Sequence, residues 1–317
     1  MIMRLFIFLF LLFSLSNLKA ADLTGIPEFI DEMVTKHAFN REELVQVFKL
    51  AEHRQSVIDA FSAPSTHRSW LEYRASFVNV KRINEGLQFW QTYSEALQRA
   101  ESQYGIPQET IVALIGVETL YGKHTGKYST LDVLTTLAFD YPRRADFFRG
   151  ELEQFLLLTR EQGIDLTQVK GSYAGALGIP QFMPSSYRKY AVDFDGDGKI
   201  DLRHNPVDAI GSVANYFSQF GWKKEEPVTV RVNINEDSRE GITGKVLTLS
   251  EWGASGVKIE PEMTDELRAR LMAFTIMDKK EYWLAFENFD VITRYNNSDY
   301  YAMAVFQLAQ ALREAHH

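Results

Sequence analysis

Hydrophobic residues recur at spacings of three and four through the first third of the chain. Aromatic and aliphatic side chains occupy these positions from Phe29 to Tyr93, and this period is typical of amphipathic helices that turn one face toward a core. After Pro227 the period becomes two, because apolar and polar residues alternate over 228–234 as they do in a half-buried strand. A helical period returns over 300–313. The pattern therefore predicts a mainly α, α+β protein.

The β-rich part contains three more strand candidates. They are 245–249, 274–277 and 282–286, and we expect the first of them to pair with 228–234. The predicted organisation is a leader over 1–20, an N-terminal helical region over 21–100, a core over 101–224, a small β-rich domain over 225–290 and a C-terminal helix over 291–317 that returns to the core.

One acidic residue interrupts the apolar pattern of the segment 106–122. Pro107 suits the first turn of a helix and Gly122 suits its end. Ile111, Leu114 and Ile115 mark an inward stripe, and the next position on that stripe holds Glu118. Burial raises the pKa of a carboxyl group, and a protonated acid near neutral pH can donate a proton to a leaving oxygen. The alternative is a structural acid paired with an arginine or with backbone amides.

The first twenty residues have the pattern of an export signal. Arg4 is followed by an unbroken apolar run from Leu5 to Phe13, and Ala20 and Ala21 offer small residues for cleavage. The run is short for a bilayer span, so we expect a cleaved signal peptide and a periplasmic protein. The alternative is an anchor that is retained.

Cysteine is absent, and the net charge is −8. The absence excludes disulfides, thiol catalysis and thiolate metal sites, and it leaves no cysteine for lipid acylation, so we expect no lipid anchor. The negative charge without a basic cluster argues against nucleic acid as a partner, since phosphate binding needs grouped lysine and arginine.

The segment 193–201 has the spacing of an EF-hand loop. Acids stand at its first, third, fifth and ninth positions, and a glycine stands at its sixth. Calcium prefers six to eight oxygen ligands, which alternate residues can turn toward one centre. The twelfth position holds His204 in place of glutamate, so a closing carboxylate must come from elsewhere. The predicted ligands of a structural Ca²⁺ are Asp193, Asp195, Asp197, the Lys199 carbonyl, Asp201 and Asp208. The alternative is an Asp-Gly turn without a metal.

A glycine-rich loop over 171–187 precedes the acidic loop. Its three glycines and two prolines preclude a continuous helix. Glycines let a ligand approach the backbone, Ser172 and Gln181 can supply directed hydrogen bonds, and tyrosine and phenylalanine faces can stack on sugar rings. An ordinary structural loop is the alternative.

These motifs together resemble the lytic murein transglycosylase B family, glycoside hydrolase family 103. The resemblance rests on GVETLYG at 116–122, on the glycine-rich loop, on the acidic segment 193–216, on WLEYR at 70–74 and on TRYNNSDYYAMAV at 293–305. It covers nearly all of the chain after the leader. It implies a lysozyme-like helical core with a calcium loop and a small β domain. It also implies cleavage of the β-1,4 bond between N-acetylmuramic acid and N-acetylglucosamine, leaving a 1,6-anhydromuramic end.

The same resemblance assigns roles to individual residues. Glu118 is implied to be the single catalytic acid and base, Ser172 to bind the muramoyl N-acetyl group and Gln181 to orient the site. Peptidoglycan glycan strands are the implied partner, and we expect a monomer. Residues implied to contact the glycan or its muramoyl and peptide parts are Tyr73, Arg143, Arg144, Tyr216, Tyr295, Asn296 and Tyr301.

Two other functions remain open at the level of sequence. A lysozyme-type hydrolase would admit water and leave reducing ends, and a non-catalytic murein-binding protein would use the same cleft without cleavage. Glycosidases ordinarily use two carboxylates, and no second acid adjoins Glu118 in the chain.

Overall fold

The computed structural model describes residues 23–63, 68–234, 243–259 and 264–316. The predicted leader over 1–20 lies outside these ranges. The described residues are mainly helical with a small β-sheet portion, which confirms the predicted fold class. Among them, no helix has the length and apolar character needed to cross a bilayer.

The N-terminal part is helical, as the spacing predicted. Side-chain caps begin several of these helices: Asn40, Ser69 and Asn79 each accept a backbone N–H of the first turn. Their apolar faces join one large core. The helices are α1 (Ile26–His37), α2 (Arg41–Leu50), α3 (Gln55–Ser62), α4 (Trp70–Phe77), α5 (Val80–Thr92) and α6 (Ser94–Tyr104).

The central part of the chain surrounds one short helix, α7. Every residue of α7 from Thr110 to Val117 is buried, so it is enclosed on all sides. A two-stranded antiparallel ribbon, β1 with β2, joins the segment after α7 to the start of the glycine-rich loop. The elements of this part are α7 (Gln108–Thr119), β1 (Tyr128–Ser129), α8 (Thr130–Asp140), α9 (Ala145–Gln162), β2 (Lys170–Gly171), α10 (Pro184–Tyr190) and α11 (Pro206–Gln219).

A five-stranded antiparallel sheet follows, in the order β4-β6-β7-β3-β5. The predicted pairing of 245–249 with 228–234 is wrong: β4 pairs with β6, while β3 lies between β7 and β5. The long hairpin of β6 and β7 occupies the centre, so β4 and β3 meet different edges of it. The elements are β3 (Thr229–Ile234), β4 (Val246–Thr248), α12 (Leu249–Ala254), β5 (Val257–Ile259), β6 (Arg268–Ile276) and β7 (Lys279–Ala285).

The sheet has one face in a core of its own and one face on the helices. Trp252 is fully buried in the smaller core, where its indole N–H donates to the Ala269 carbonyl at 2.9 Å. On the other side, Phe274 contacts Trp70 of α4 with ring centroids 4.9 Å apart. The chain then returns through α13 (Glu287–Tyr295) to α14 (Asp299–His316). Helix α14 packs against α4, α5 and α7, so its side chains reach the centre of the molecule.

The contact between the acidic loop and α11 supplies a test of this packing. A methyl group added at Gly211 would lie 2.2 Å from the Phe194 ring, whereas one added at Gly150 meets no atom within 4 Å. We expect Gly211→Ala to lower the free energy of unfolding by about 1–3 kcal/mol through overpacking. Gly150→Ala, the matched control in α9, should raise it by about 0.5–1 kcal/mol, because alanine favours a helix. Urea denaturation measures both, and equal values for the two variants would contradict the packing described.

Candidate active site

Glu118 stands in the last turn of α7, where the helix opens toward solvent. It keeps partial exposure, while every other residue from Thr110 to Leu120 is buried. The helix ends earlier than the sequence predicted, because Leu120 and Tyr121 already adopt left-handed conformations before Gly122, with φ of 51° and 60°. The carboxyl group therefore projects from the end of an otherwise enclosed helix.

The surroundings of Glu118 favour its neutral form. Burial raises the pKa of this carboxyl group from 4.5 to about 7, and the hydroxyl of Tyr301, which donates to Oε1, opposes that rise. The carbonyl end of a helix also disfavours a negative charge. No carboxylate among the described residues contributes to the shift. The result is a single acid whose protonated and ionised forms are both populated near neutral pH.

Two tyrosines, a partly buried Tyr295 and a buried Tyr301, stand beside this acid with nearly parallel rings. Tyr295 and Tyr301 have ring centroids 6.5 Å apart and an interplanar angle of 10°. The Tyr295 hydroxyl donates to the Pro180 carbonyl, so this ring joins α13 to the glycine-rich loop. Burial and the nearby Glu118 charge hold the pKa of both phenols well above the usual value. Both hydroxyls consequently stay protonated and act as donors.

Tyr73 and Tyr216 reach the site in different ways. Tyr73 is partly exposed. Partial burial raises the pKa of its phenol, and the negative charge of Glu118 raises it further. Tyr216 is 6% exposed, its hydroxyl donates to the Arg294 carbonyl at 2.8 Å, and its ring lies 4.8 Å from that of Tyr295. Tyr216 thus supports Tyr295 from behind. Asn296 is exposed at the C-terminal end of α13.

The side chains of the glycine-rich loop shape its backbone. Ser172 Oγ accepts the N–H groups of Ala174 and Ala176 at 3.2 and 3.0 Å. Gln181, which has a φ of 54°, donates its amide N–H to the carbonyls of Thr125 and Gly178 at 3.1 and 2.7 Å. Both residues are partly exposed. They hold the loop in place and leave part of each side chain open to a ligand.

Arg143 and Arg144 are exposed in a short 3₁₀ turn before α9. The Arg144 guanidinium lies over the Phe147 ring at 4.2 Å from its centroid. Phe148 joins this surface to the glycine-rich loop through Phe61, whose ring lies 5.6 Å from Phe148 and 5.5 Å from Tyr173. Arg144 therefore packs on an aromatic surface that reaches the glycine-rich loop through Phe148, Phe61 and Tyr173.

The acidic loop brings Asp193, Asp195 and Asp197 together. Their nearest carboxylate oxygens all lie within 4.8 Å of one another, which three like charges resist unless a cation is shared. Asp193 accepts the backbone N–H groups of Gly196, Asp197 and Gly198, so the loop curls around it. This donor set of hard oxygens fits Ca²⁺.

Asp201 and Asp208 do not belong to that group of three among the described residues. Asp201 accepts the N–H groups of Arg203 and His204. Asp208 is fully buried in α11, where its two oxygens accept the N–H groups of Phe194 and Asp201, both at 2.8 Å. It braces the two ends of the loop. Lys199 donates its N–H to Asp197 at 2.8 Å.

Sequence reasoning missed two residues near Glu118 in the chain whose hydroxyls join the end of α7 to other segments. Thr119 and Tyr121 flank the end of α7, and both hydroxyls bond to backbone carbonyls of other segments. A threonine and a tyrosine in an apolar segment carry no signal of this role in their spacing. Only the close approach of α5 and the glycine-rich loop reveals it.

Comparison with known proteins places the chain in a family. A family model described as the transglycosylase SLT domain matches residues 23–310, and the chain belongs to this family.

Relatives in two organisms share most of the chain. The membrane-bound lytic murein transglycosylase B of Escherichia coli K12 is 44% identical over 295 residues, which cover 90% of this chain and 81% of that protein. The crystal structure of soluble lytic transglycosylase SltB1 from Pseudomonas aeruginosa is similar with a TM-score of 0.87 and 48% identity, over 92% of this chain and 98% of that one. Escherichia coli Slt35 in complex with calcium has a TM-score of 0.87 and 43% identity, over 93% and 94% of the two chains.

The raised pKa of Glu118 predicts that the free energy of unfolding depends on pH. Below pH 4.5 the carboxyl is protonated in both states; as pH rises toward 7 the unfolded chain ionises first, so stability falls. Relative to Glu118→Gln, which does not titrate, the wild type should lose about 3 kcal/mol of unfolding free energy between pH 4 and pH 8. Chemical denaturation at several pH values measures the difference. A pH-independent difference in unfolding free energy between the wild type and Glu118→Gln would contradict the assignment.

Proposed function

We propose that this protein is a peptidoglycan lytic transglycosylase that cleaves the β-1,4 bond between N-acetylmuramic acid and N-acetylglucosamine and leaves 1,6-anhydromuramoyl ends. The observation that carries the proposal is one protonated acid at the end of α7, with no second carboxylate acting on it among the described residues. Family membership and the 44% identity to a lytic murein transglycosylase support it.

Glu118 acts first as an acid and then as a base. Its carboxyl proton passes to the glycosidic oxygen as the bond from that oxygen to C1 breaks. The oxygen of the muramoyl N-acetyl group stabilises the positive charge that develops at C1. The Glu118 carboxylate then removes the C6 hydroxyl proton, and O6 bonds to C1. Water is not consumed, and the acid returns to its protonated form.

Tyr301 and burial stabilise the two protonation states of Glu118 that this cycle requires. The Tyr301 hydroxyl donates to the Glu118 carboxyl oxygen, and a donor of this kind stabilises the carboxylate that exists between the two proton transfers. Burial stabilises the acid form at the beginning and at the end. A pKa of about 7 places both forms within reach at neutral pH.

The remaining residues bind the glycan. Ser172 binds the muramoyl N-acetyl group, and Gln181 orients the site. Tyr73 and Asn296 are exposed enough to contact the sugar directly. Tyr216 and Tyr295 contribute from beneath the cleft. Arg143 and Arg144 are exposed cations beside it and suit the muramoyl carboxylate or peptide. A crystal structure of the relative SltB3 from Pseudomonas aeruginosa contains NAG-anhNAM-pentapeptide, and that relative is 27% identical to this chain with a TM-score of 0.82.

The acidic loop holds a structural Ca²⁺ in this proposal. Asp193, Asp195, Asp197 and the Lys199 carbonyl supply oxygens, and Asp201 and Asp208 complete the loop around them. Once neutralised, the carboxylates no longer repel, and the loop is held against α11. The Slt35 structure in complex with calcium supports this choice of ion.

The protein acts in the periplasm, according to the same proposal. The leader over 1–20 directs export and is cleaved. The chain has no cysteine that could be acylated, so it acts without a lipid anchor, and it acts as a monomer. Its substrate, the glycan strand of peptidoglycan, lies in that compartment.

Product analysis separates this reaction from hydrolysis. Digestion of purified murein in ¹⁸O-water should give unlabelled 1,6-anhydromuramoyl ends as the main product, because O6 and not water attacks C1. Glu118→Gln should fold and lose at least about 10²–10⁴-fold in rate, since an amide neither donates nor retakes the proton. Mass spectrometry of the fragments reads both results. Dominant ¹⁸O at C1 would indicate a hydrolase. Full activity of Glu118→Gln would show that Glu118 is not the catalytic acid and base.

Calcium should stabilise the folded protein because it binds that state preferentially. Saturating Ca²⁺ should raise Tm, and a chelator should reverse the rise. Asp193→Ala combined with Asp195→Ala should abolish the shift. The control pair Asp265→Ala with Glu266→Ala, in an exposed segment before β6, should keep it. A Tm that responds to neither calcium nor chelator would leave the loop as a turn without a metal.

A further inference from the structure

A left-handed turn of three residues follows Thr119, the last residue of α7 and the chain neighbour of Glu118. Leu120, Tyr121 and Gly122 have φ of 51°, 60° and 85°. Glycine adopts this region freely, whereas leucine and tyrosine are strained there and adopt it only where surrounding contacts impose it. Backbone N–H groups of Leu120 and Tyr121 donate to the Gly116 and Ile115 carbonyls, and two side-chain hydroxyl groups join the turn to other segments.

The first hydroxyl belongs to Thr119, which is 1% exposed. Its Oγ1 donates to the Ile179 carbonyl at 2.7 Å and accepts the Gly122 N–H at 2.9 Å. Ile179 is itself fixed, because its N–H donates to the Leu202 carbonyl at 2.8 Å. One buried hydroxyl therefore joins the residue after Glu118 to the glycine-rich loop and, through Ile179, to the segment that follows the acidic loop.

The second hydroxyl belongs to Tyr121. It donates to the Arg82 carbonyl in α5 at 2.9 Å, and the Arg82 guanidinium donates in return to the Gly116 carbonyl of α7. The ring fits between two helices only because they carry glycine there: a Cβ at Gly86 or Gly116 would lie 2.4 or 2.5 Å from the hydroxyl oxygen. Burial raises the pKa of this phenol, which keeps it a donor.

We propose that the Thr119 and Tyr121 hydroxyls are positioning groups that hold the left-handed turn and thereby fix the Glu118 carboxyl relative to the glycine-rich loop. The proposal rests on the function proposed above. Neither hydroxyl contacts the Glu118 carboxyl, so both act through the backbone. Catalysis requires the acid within hydrogen-bond reach of the glycosidic oxygen, and a misplacement of about 1 Å can cost about 10²-fold in rate.

A matched pair of threonine variants tests the proposal. Thr119→Val removes the hydroxyl bonded to Ile179, and Thr229→Val removes a buried hydroxyl bonded to the Leu284 carbonyl of the small sheet, also at 2.7 Å. Both should lower Tm. Only Thr119→Val should lower kcat, by about 10- to 100-fold, with KM on murein oligosaccharides within about twofold of the wild type, because glycan-binding side chains are retained. Thr119→Ser keeps the hydroxyl and should keep kcat.

The pH profile supplies a readout that a purely structural loss would not move. If the turn loosens, water reaches the Glu118 carboxyl and lowers its pKa toward the usual value. The high-pH limb of kcat should then move to lower pH in Thr119→Val and stay in place in Thr229→Val.

The outcomes separate this proposal from the function on which it rests. If Glu118→Gln is inactive but Thr119→Val has the kcat and pH profile of Thr229→Val, the positioning role is overturned and the proposed function stands. Thr119→Ser with the loss seen in Thr119→Val would also overturn it. If Thr119→Val does not fold, Tyr121→Phe decides: reduced kcat at unchanged KM supports the proposal, and wild-type kcat overturns it. An active Glu118→Gln would instead refute the proposed function.

Discussion

The cost of removing one carboxyl group from water governs the centre of this molecule. Glu118 lies in the last turn of a helix that is buried from Thr110 to Val117, and desolvation raises the pKa of its carboxyl group. A charge there would be expensive without compensation, so the site supplies the Tyr301 hydroxyl as a donor. The acid can then exist in both forms. The balance between the protonated and ionised forms requires α7 to be enclosed. Helices from both ends of the chain, α5, α6, α11 and α14, pack against it.

The segments around Glu118 are joined through backbone carbonyls more than through side-chain pairs. Tyr295 bonds to Pro180, Thr119 to Ile179 and Tyr216 to Arg294. Each is a neutral hydroxyl donating to a carbonyl, so none introduces a charge that would alter the pKa of the acid. Each also spans two segments distant in sequence. The site can therefore be rigid and still have a low local charge.

The acidic loop and the small sheet support residues of the site without contacting Glu118 themselves. Asp208 braces the loop from α11, and the same helix carries Tyr216 to the ring of Tyr295. On the other side, Phe274 of β6 packs on Trp70 and Tyr300, which also contact Tyr73. Both units thus support aromatic residues at the cleft. Their contribution is to geometry, since neither brings a carboxylate that perturbs Glu118.

The sequence by itself determined the local features. Short stretches of sequence contain the helical and strand periods, the acidic spacing at 193–201 and the acid at position 118. These features depend on residue order alone. The tertiary structure decided what depends on distant partners. It separated β4 from β3 by the long hairpin, placed Tyr216 behind Tyr295, put the Tyr301 hydroxyl on Glu118 and ended α7 at Thr119. Each of these contacts joins residues far apart in the chain or relies on a backbone conformation that packing imposes, and no periodicity encodes such an encounter.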